Sequence, residues 1–261
     1  MSLSFGAGLV AALLLVILTV AIARWLDLGI DREILIAISR ATVQLLPVGL
    51  VFLYIFDSAF ATAWAWAWVV FMVVNASRVV RKRARFEIPA LTLSAGAAIG
   101  ASAALSILVI FVFGVLDFAP VSLVVIAGIT IGNAVPASVL AAKQSVALCR
   151  DHRSELEAVL ALSFDRSQVV RFMAPRAARM AITPQVERTK VVGLIALPGA
   201  MTGLLLAGVD PLEAVTIQLL VMFLVLTTVA VSVMAVSTTV IRGAVTDDAR
   251  AAQWTEISSG D

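Results

Sequence analysis

Leu212 to Ile241, LEAVTIQLLVMFLVLTTVAVSVMAVSTTVI, carries one charged side chain, Glu213, near its start, and Arg242 follows at once. A hydrocarbon core about 30 Å thick is crossed by about 20 residues of helix. This run is long enough to span the core and has to tilt or project beyond it. Windows of about 19 residues find further runs near 5 to 25, 34 to 56, 59 to 77, 89 to 116, 120 to 142 and 190 to 209. The expected fold is an all-α integral membrane protein of about seven transmembrane helices, in one transmembrane domain over residues 1–261. Composition agrees: 61% of residues are hydrophobic and 14% charged, against roughly a quarter charged in soluble domains. The first run follows Met1-Ser2-Leu3-Ser4 with no basic region ahead of it, so it reads as a retained span, not a cleaved signal.

Basic residues set the expected orientation, because loops on the cytoplasmic side are enriched in Lys and Arg. Arg24 and Arg32 flank the first connection; Arg78, Arg81, Lys82, Arg83 and Arg85 fill the third; nine more run from Lys143 to Lys190; Arg242 and Arg250 follow the last span. Asp57, Asp117, Asp210 and Glu213 mark the second, fourth and sixth connections, which hold no basic residue. This segregation predicts an outer N-terminus, a cytoplasmic C-terminus and an odd number of spans. Directly after a span, the run Arg78 to Arg85 is better read as a topology signal and anionic-lipid contact than as a nucleic-acid patch. Trp64, Trp66 and Trp68 fit an interfacial aromatic belt.

Residues 143 to 189 form the one sizeable stretch expected outside the membrane. Ser154 and Glu157 have the spacing of a capping box, and a second helix start follows at Asp165 or Ser167. Val169, Val170, Met173, Ala177 and Met180 then recur at three and four residue spacing. Two short amphipathic helices joined near Ser163-Phe164 are predicted, the second bent by Pro175 and ended near Pro184. They suit either a lipid interface or a docking surface on which Leu160, Leu162 and Phe164 fill a partner's groove. Composition does not separate the two.

Polar side chains within the spans are candidates for a transport pathway, because lipid penalises them. Arg40 and Gln44 are one helical turn apart; Asn75, Asn133 and Gln218 mark three other spans. Snorkelling of Arg40 and plain interhelical hydrogen bonding are the structural readings of the same residues. Leu197-Pro198-Gly199 should kink or break the sixth span near mid-membrane. There is no GxxxxGK[ST], HExxH or GxSxG, so neither an ATPase nor a hydrolase chemistry is legible. Cys149 and His152, each the single residue of its kind, are too few for a metal site.

The stretch Thr189 to Pro211, TKVVGLIALPGAMTGLLLAGVDP, followed by Ala214 and Gln218, closely resembles the FetB-type permease family of bacterial iron-export permeases and plant aluminium-tolerance proteins. Arg40-Ala-Thr-Val-Gln44 with Leu45 and Gly49, and Ile126-Ala-Gly128 with Gly132-Asn133-Ala134, extend the resemblance over nearly the whole chain. It implies the membrane half of an ABC transporter: two permeases in a bacterial inner or plasma membrane, working with two separate P-loop ATPase subunits that bind ATP and Mg. The permease chain itself would hold no cofactor, perform no hydrolysis and bind no nucleic acid. Iron export as the task comes from the resemblance alone, and no metal ligand is assigned. Glu157-Ala158, Ser163 and Met173-Ala174-Pro175 look like the loop by which such permeases engage the ATPase, making Glu157, Leu160, Ser163 and Phe164 the coupling candidates. Where Ser163 stands the family usually has glycine, and where Glu187 stands often Asp or Asn. A secondary transporter or channel without an ATPase, and a membrane scaffold or receptor, are the rival readings.

Overall fold

A computed structural model describes residues 2–84, 88 and 90–256, nearly all of them helical. The helices are α1 (Ser2–Trp25), α2 (Asp31–Asp57), α3 (Ala61–Ala84), α4 (Leu91–Val112), α5 (Pro120–Asp151), α6 (Arg153–Ala161), α7 (Arg166–Val191), α8 (Gly199–Leu206) and α9 (Pro211–Gly243), with a short 3-10 turn at Gln253–Thr255. Arg85 and Pro89, counted above in the third connection and at the head of the fourth span, lie outside the described residues. α2, α3, α4, α5 and α9 are long and apolar enough to cross a bilayer, and α1 contains the shorter apolar stretch Val10–Trp25. The chain is an all-α, multi-pass membrane protein.

The helices form two compact units, residues 1–61 and 62–261. In the first, a turn with positive φ at Asp27 and Gly29 joins α1 to α2, and Arg24 holds Asp31 across it at 3.1 Å. Leu13, Leu14, Ile17, Leu45, Leu50 and Leu53 all point outward, while Ala23 and Ile55 are buried. Helices apolar all round with so little of their surface buried are solvated by lipid.

In the second unit α9 is the central helix, packed against α4, α5, α7 and α8. Its buried positions Val221, Leu224, Val225, Thr228, Val229 and Ser232 recur at helical spacing on one broad face. Helices in lipid associate through close packing and hydrogen bonds rather than through hydrophobicity, which favours small residues at the contacts. A Cβ on Gly96 or Gly100 of α4 would stand 3.1 Å from Ser77 Cβ or 3.2 Å from Val73 of α3. The Ser106 and Thr228 hydroxyls, 3.2 Å apart and buried, bridge α4 to α9.

Three expectations change between residues 143 and 209. The Ser154–Glu157 capping box does not form: α6 starts after His152 without a side-chain cap, and Glu157 instead accepts from Arg153 at 2.7 Å. The box sits one helix later, where Asp165 accepts from the Gln168 N–H and Gln168 from the Asp165 N–H. The second helix does not end near Pro184; α7 runs through Pro175 and Pro184 to Val191. Burial of Val169, Met173, Ala174, Ala177, Ala178 and Ala181 along α5 and α9 offsets the bonds the prolines remove. Finally, 190 to 209 is not one helix. α7 ends at Val191, a turn follows, and Pro198 is the N-cap of α8. The chain is thus broken ahead of Pro198, at 192–197, where Gly193 takes φ +95° and donates to Ala196 O at 2.9 Å.

α7 lies antiparallel to α5. Leu148 and Cys149 share one cluster with Met173 and Ala174, and Asn133, Pro136, Ala137 and Leu140 share one cleft with Ala181, Pro184, Gln185 and Arg188. At 1.5 Å per residue, the 15 residues from Leu148 to Asn133 correspond to about 22 Å along the pair. The far end of α7 therefore lies alongside the middle of the uncharged part of α5, between Pro120 and Lys143.

Candidate functional site

Two places combine polar chemistry with accessible space. The first is the α5–α7 cleft, of about 180 Å³. Pro136 and Pro184 both line it, and each deprives the carbonyl four residues earlier, Gly132 or Met180, of its helical donor. Asn133 donates one amide hydrogen to Ile129 O at 2.7 Å, leaving its other hydrogen and its oxygen for the cleft. Gln185 adds a second amide and Arg188 the one charge on the lining. Glu187 does not neutralise Arg188; its carboxylate is held by Lys190 at 2.7 Å, and Arg188 forms no ion pair among the described residues. Level with Asn133, Arg188 stands about 15 Å from Lys143 along α5. An arginine without an ion pair beside an apolar helix is expected to face water-filled space or a partner.

Of the pathway candidates read from sequence, the structure brings Asn133 to this cleft. Asn75 donates to Phe71 O at 2.8 Å within its own helix. Pro198 and Gly199 head α8, and Gln218 is 8% exposed on α9 with its side-chain oxygen unpartnered among the described residues. Arg40 and Gln44 are exposed, one turn apart on α2 of the first unit. Gln185 and Arg188 were missed because they were counted with a cytoplasmic loop. The signal was present in Ala174, Ala177, Ala178 and Ala181, a small-residue face that favours α7 continuing against another helix.

The second place is the α6–α7 hairpin, at the end of the unit where Lys143, Arg150, Arg242 and Arg250 collect. Its inner face completes a small core of Leu148, Cys149, Leu156, Val169, Met173, Ile241 and Val245, with Leu160 and Trp254 against it. Arg176 joins the two helices, contacting Glu155 at 2.8 Å. The C-terminal residues clasp the same hairpin: Arg166 donates to Val245 O and Asp247, both at 2.8 Å, and Arg153 reaches Thr255 at 3.2 Å and Glu256 at 3.1 Å.

The turn itself is a Schellman motif. Ser163 N–H donates to Leu160 O and Phe164 N–H to Val159 O, with Ser163 in the left-handed region at φ +63°. That conformation favours glycine, so Ser163 is held there against its own backbone preference. The turn presents Leu162, 71% exposed, and Phe164, 38% exposed, whereas Leu160 is half-buried against the core and is no free knob. The Ser167 hydroxyl and the Gln168 N–H hold the Asp165 carboxyl below its ordinary range.

The sequence profile described as uncharacterised protein family UPF0014 matches residues 7–244. The chain is 32% identical over 227 residues to the probable iron export permease protein FetB of Escherichia coli strain K12, covering 86% of each chain. It is 34% identical over 213 residues to the UPF0014 membrane protein STAR2 of Oryza sativa subsp. japonica, covering 82% of this chain and 74% of that one. To the protein ALUMINUM SENSITIVE 3 of Arabidopsis thaliana it is 32% identical over 212 residues, covering 81% and 77%. No solved structure matches. With the matched region extending from α1 to the end of α9, the chain belongs to the UPF0014 family of membrane permeases.

Proposed function

We propose that this permease is the membrane subunit of an ABC-type exporter, paired with a second copy of itself and driven by a separate P-loop ATPase. The observation that carries this reading is the α6–α7 turn, an exposed apolar tip on a rigid base. Leu162 and Phe164 project from a capped, ion-paired hairpin whose inner face packs on the ends of α5 and α9. Helix-in-groove docking needs such anchors on a support stiff enough to transmit force. A push on the tip is passed to α7, whose far end borders the cleft and the break at 192–197. Iron as the cargo follows the likeness to FetB, whose name gives a probable iron export permease. Pairing is supported by the exposed guanidinium of Arg188, which has no ion pair among the described residues and which a second copy would shield.

The test is co-purification of the ATPase with Leu162→Asp and Phe164→Asp. Loss of one anchor costs about 2 kcal/mol or more, roughly thirtyfold in affinity. Both variants should insert normally, bind the ATPase at least thirtyfold more weakly and lose permease-stimulated hydrolysis. Full retention by both would remove the hairpin from the coupling role, and altered lipid dependence with binding intact would assign it to the membrane interface. ATP-dependent uptake of labelled iron into inverted vesicles tests the cargo.

A further inference from the structure

We propose that the α5–α7 cleft binds an anionic oxygen group, a carboxylate or a phosphate, through Arg188 with Asn133 and Gln185. This inference rests on reading the cleft as part of the transport pathway. Arg188 is the one charged residue of the lining, and the carboxylate next to it in sequence is held by Lys190. A guanidinium presents several N–H groups in a planar fork that matches two oxygens of such a group. Asn133 keeps one amide hydrogen after bonding Ile129 O, and Gln185 supplies two more, so the donors around the charge belong to both helices. The volume of about 180 Å³ is several times the roughly 30 Å³ share of one water, enough for such a group with part of its hydration. No three His, Cys, Asp or Glu side chains converge among the described residues. The guanidinium would repel a bare cation, so the cleft suits an anionic group rather than a free metal ion.

The lining also places the group at a moving part. Arg188 is in the last turn of α7, one turn before the break at 192–197, and Asn133 is on the unbroken α5. A ligand held by both ties the end of the broken helix to the continuous one, so its release is governed by displacement of α7.

Two sources share this chemistry, a soluble anion and a lipid headgroup. The full-length permease in nanodiscs of neutral lipid is titrated with citrate and with inorganic phosphate at constant ionic strength, and bound phosphatidylglycerol is quantified after purification from native membrane. Saturable binding of either soluble anion, weakened tenfold or more by Arg188→Gln, partly kept by Arg188→Lys and weakened tenfold by Gln185→Glu, supports the site with a soluble ligand. No soluble binding, but one phosphatidylglycerol per chain that Arg188→Gln loses, supports it with a lipid. Binding equal in wild type, Arg188→Gln and Gln185→Glu, or no anion of either source, overturns it. Gln185→Glu keeps the shape of the side chain and so separates lost charge complementarity from misfolding. None of these measurements uses the ATPase, so failed docking through Leu162 and Phe164 and failed anion binding are told apart.

Discussion

Ser163 is the residue of the α6–α7 turn held in the left-handed region. Its left-handed backbone costs a residue with a Cβ about 1 kcal/mol, so Ser163→Gly should raise the unfolding midpoint of the purified permease by the equivalent of about 1 kcal/mol while leaving ATPase affinity unchanged. Leu160 and Leu162, two residues apart, should behave oppositely. Leu160→Asp puts a charge against the small core and should lower the midpoint and expression. Leu162→Asp should leave both unchanged and weaken docking alone. Asp165 adds a pH signature. Its folded carboxyl titrates lower than in the unfolded chain because Ser167 and Gln168 donate to it, so its contribution is present above the ordinary carboxylate range and lost as pH falls through the lowered value. Between pH 6 and 8 the midpoint should not depend on Asp165 ionisation. Asp165→Ala should lower the midpoint by loss of the cap and Asp165→Asn should lower it less, as read by denaturation in detergent.

Among the elements, the break between α7 and α8 carries the sharpest expectation. A proline kink would assign the break to Pro198 and Gly199, but Pro198 is the N-cap of α8 and Gly199 its first residue, positions where proline and glycine fit a helix start. The residue the turn requires is Gly193, at φ +95°. Gly193→Ala should therefore impair transport at equal expression more than Pro198→Ala does, by tenfold or more. Equal rates for the two variants would show that the bend at Gly193 is not the part that moves.

For the whole molecule, segregation of basic residues predicts that a reporter active only in the cytoplasm is silent when fused after Asp57, Asp117 or Asp210 and active when fused after Asp151. Activity after any of the first three would reverse the orientation. What the sequence determined by itself was the solvent of each helix: a run such as Leu212 to Ile241 has too few charges to leave lipid, and α9 follows it almost residue for residue. A helix start at Asp165 or Ser167 and a join near Ser163-Phe164 were legible too, because caps and turns are local chemistry. Local signals misled where another contact outweighed them. Ser154 and Glu157 have the spacing of a cap, yet Arg153 captures Glu157, and Pro184 carries a stop signal that burial against α5 and α9 overrides. The position of Arg188 was decided by tertiary structure alone. Its neighbours in sequence, Glu187 and Lys190, describe a hydrophilic loop, and only the antiparallel packing of α7 on α5 brings it level with Asn133, since depth in a membrane depends on which helix a segment packs against and on where along it the two meet.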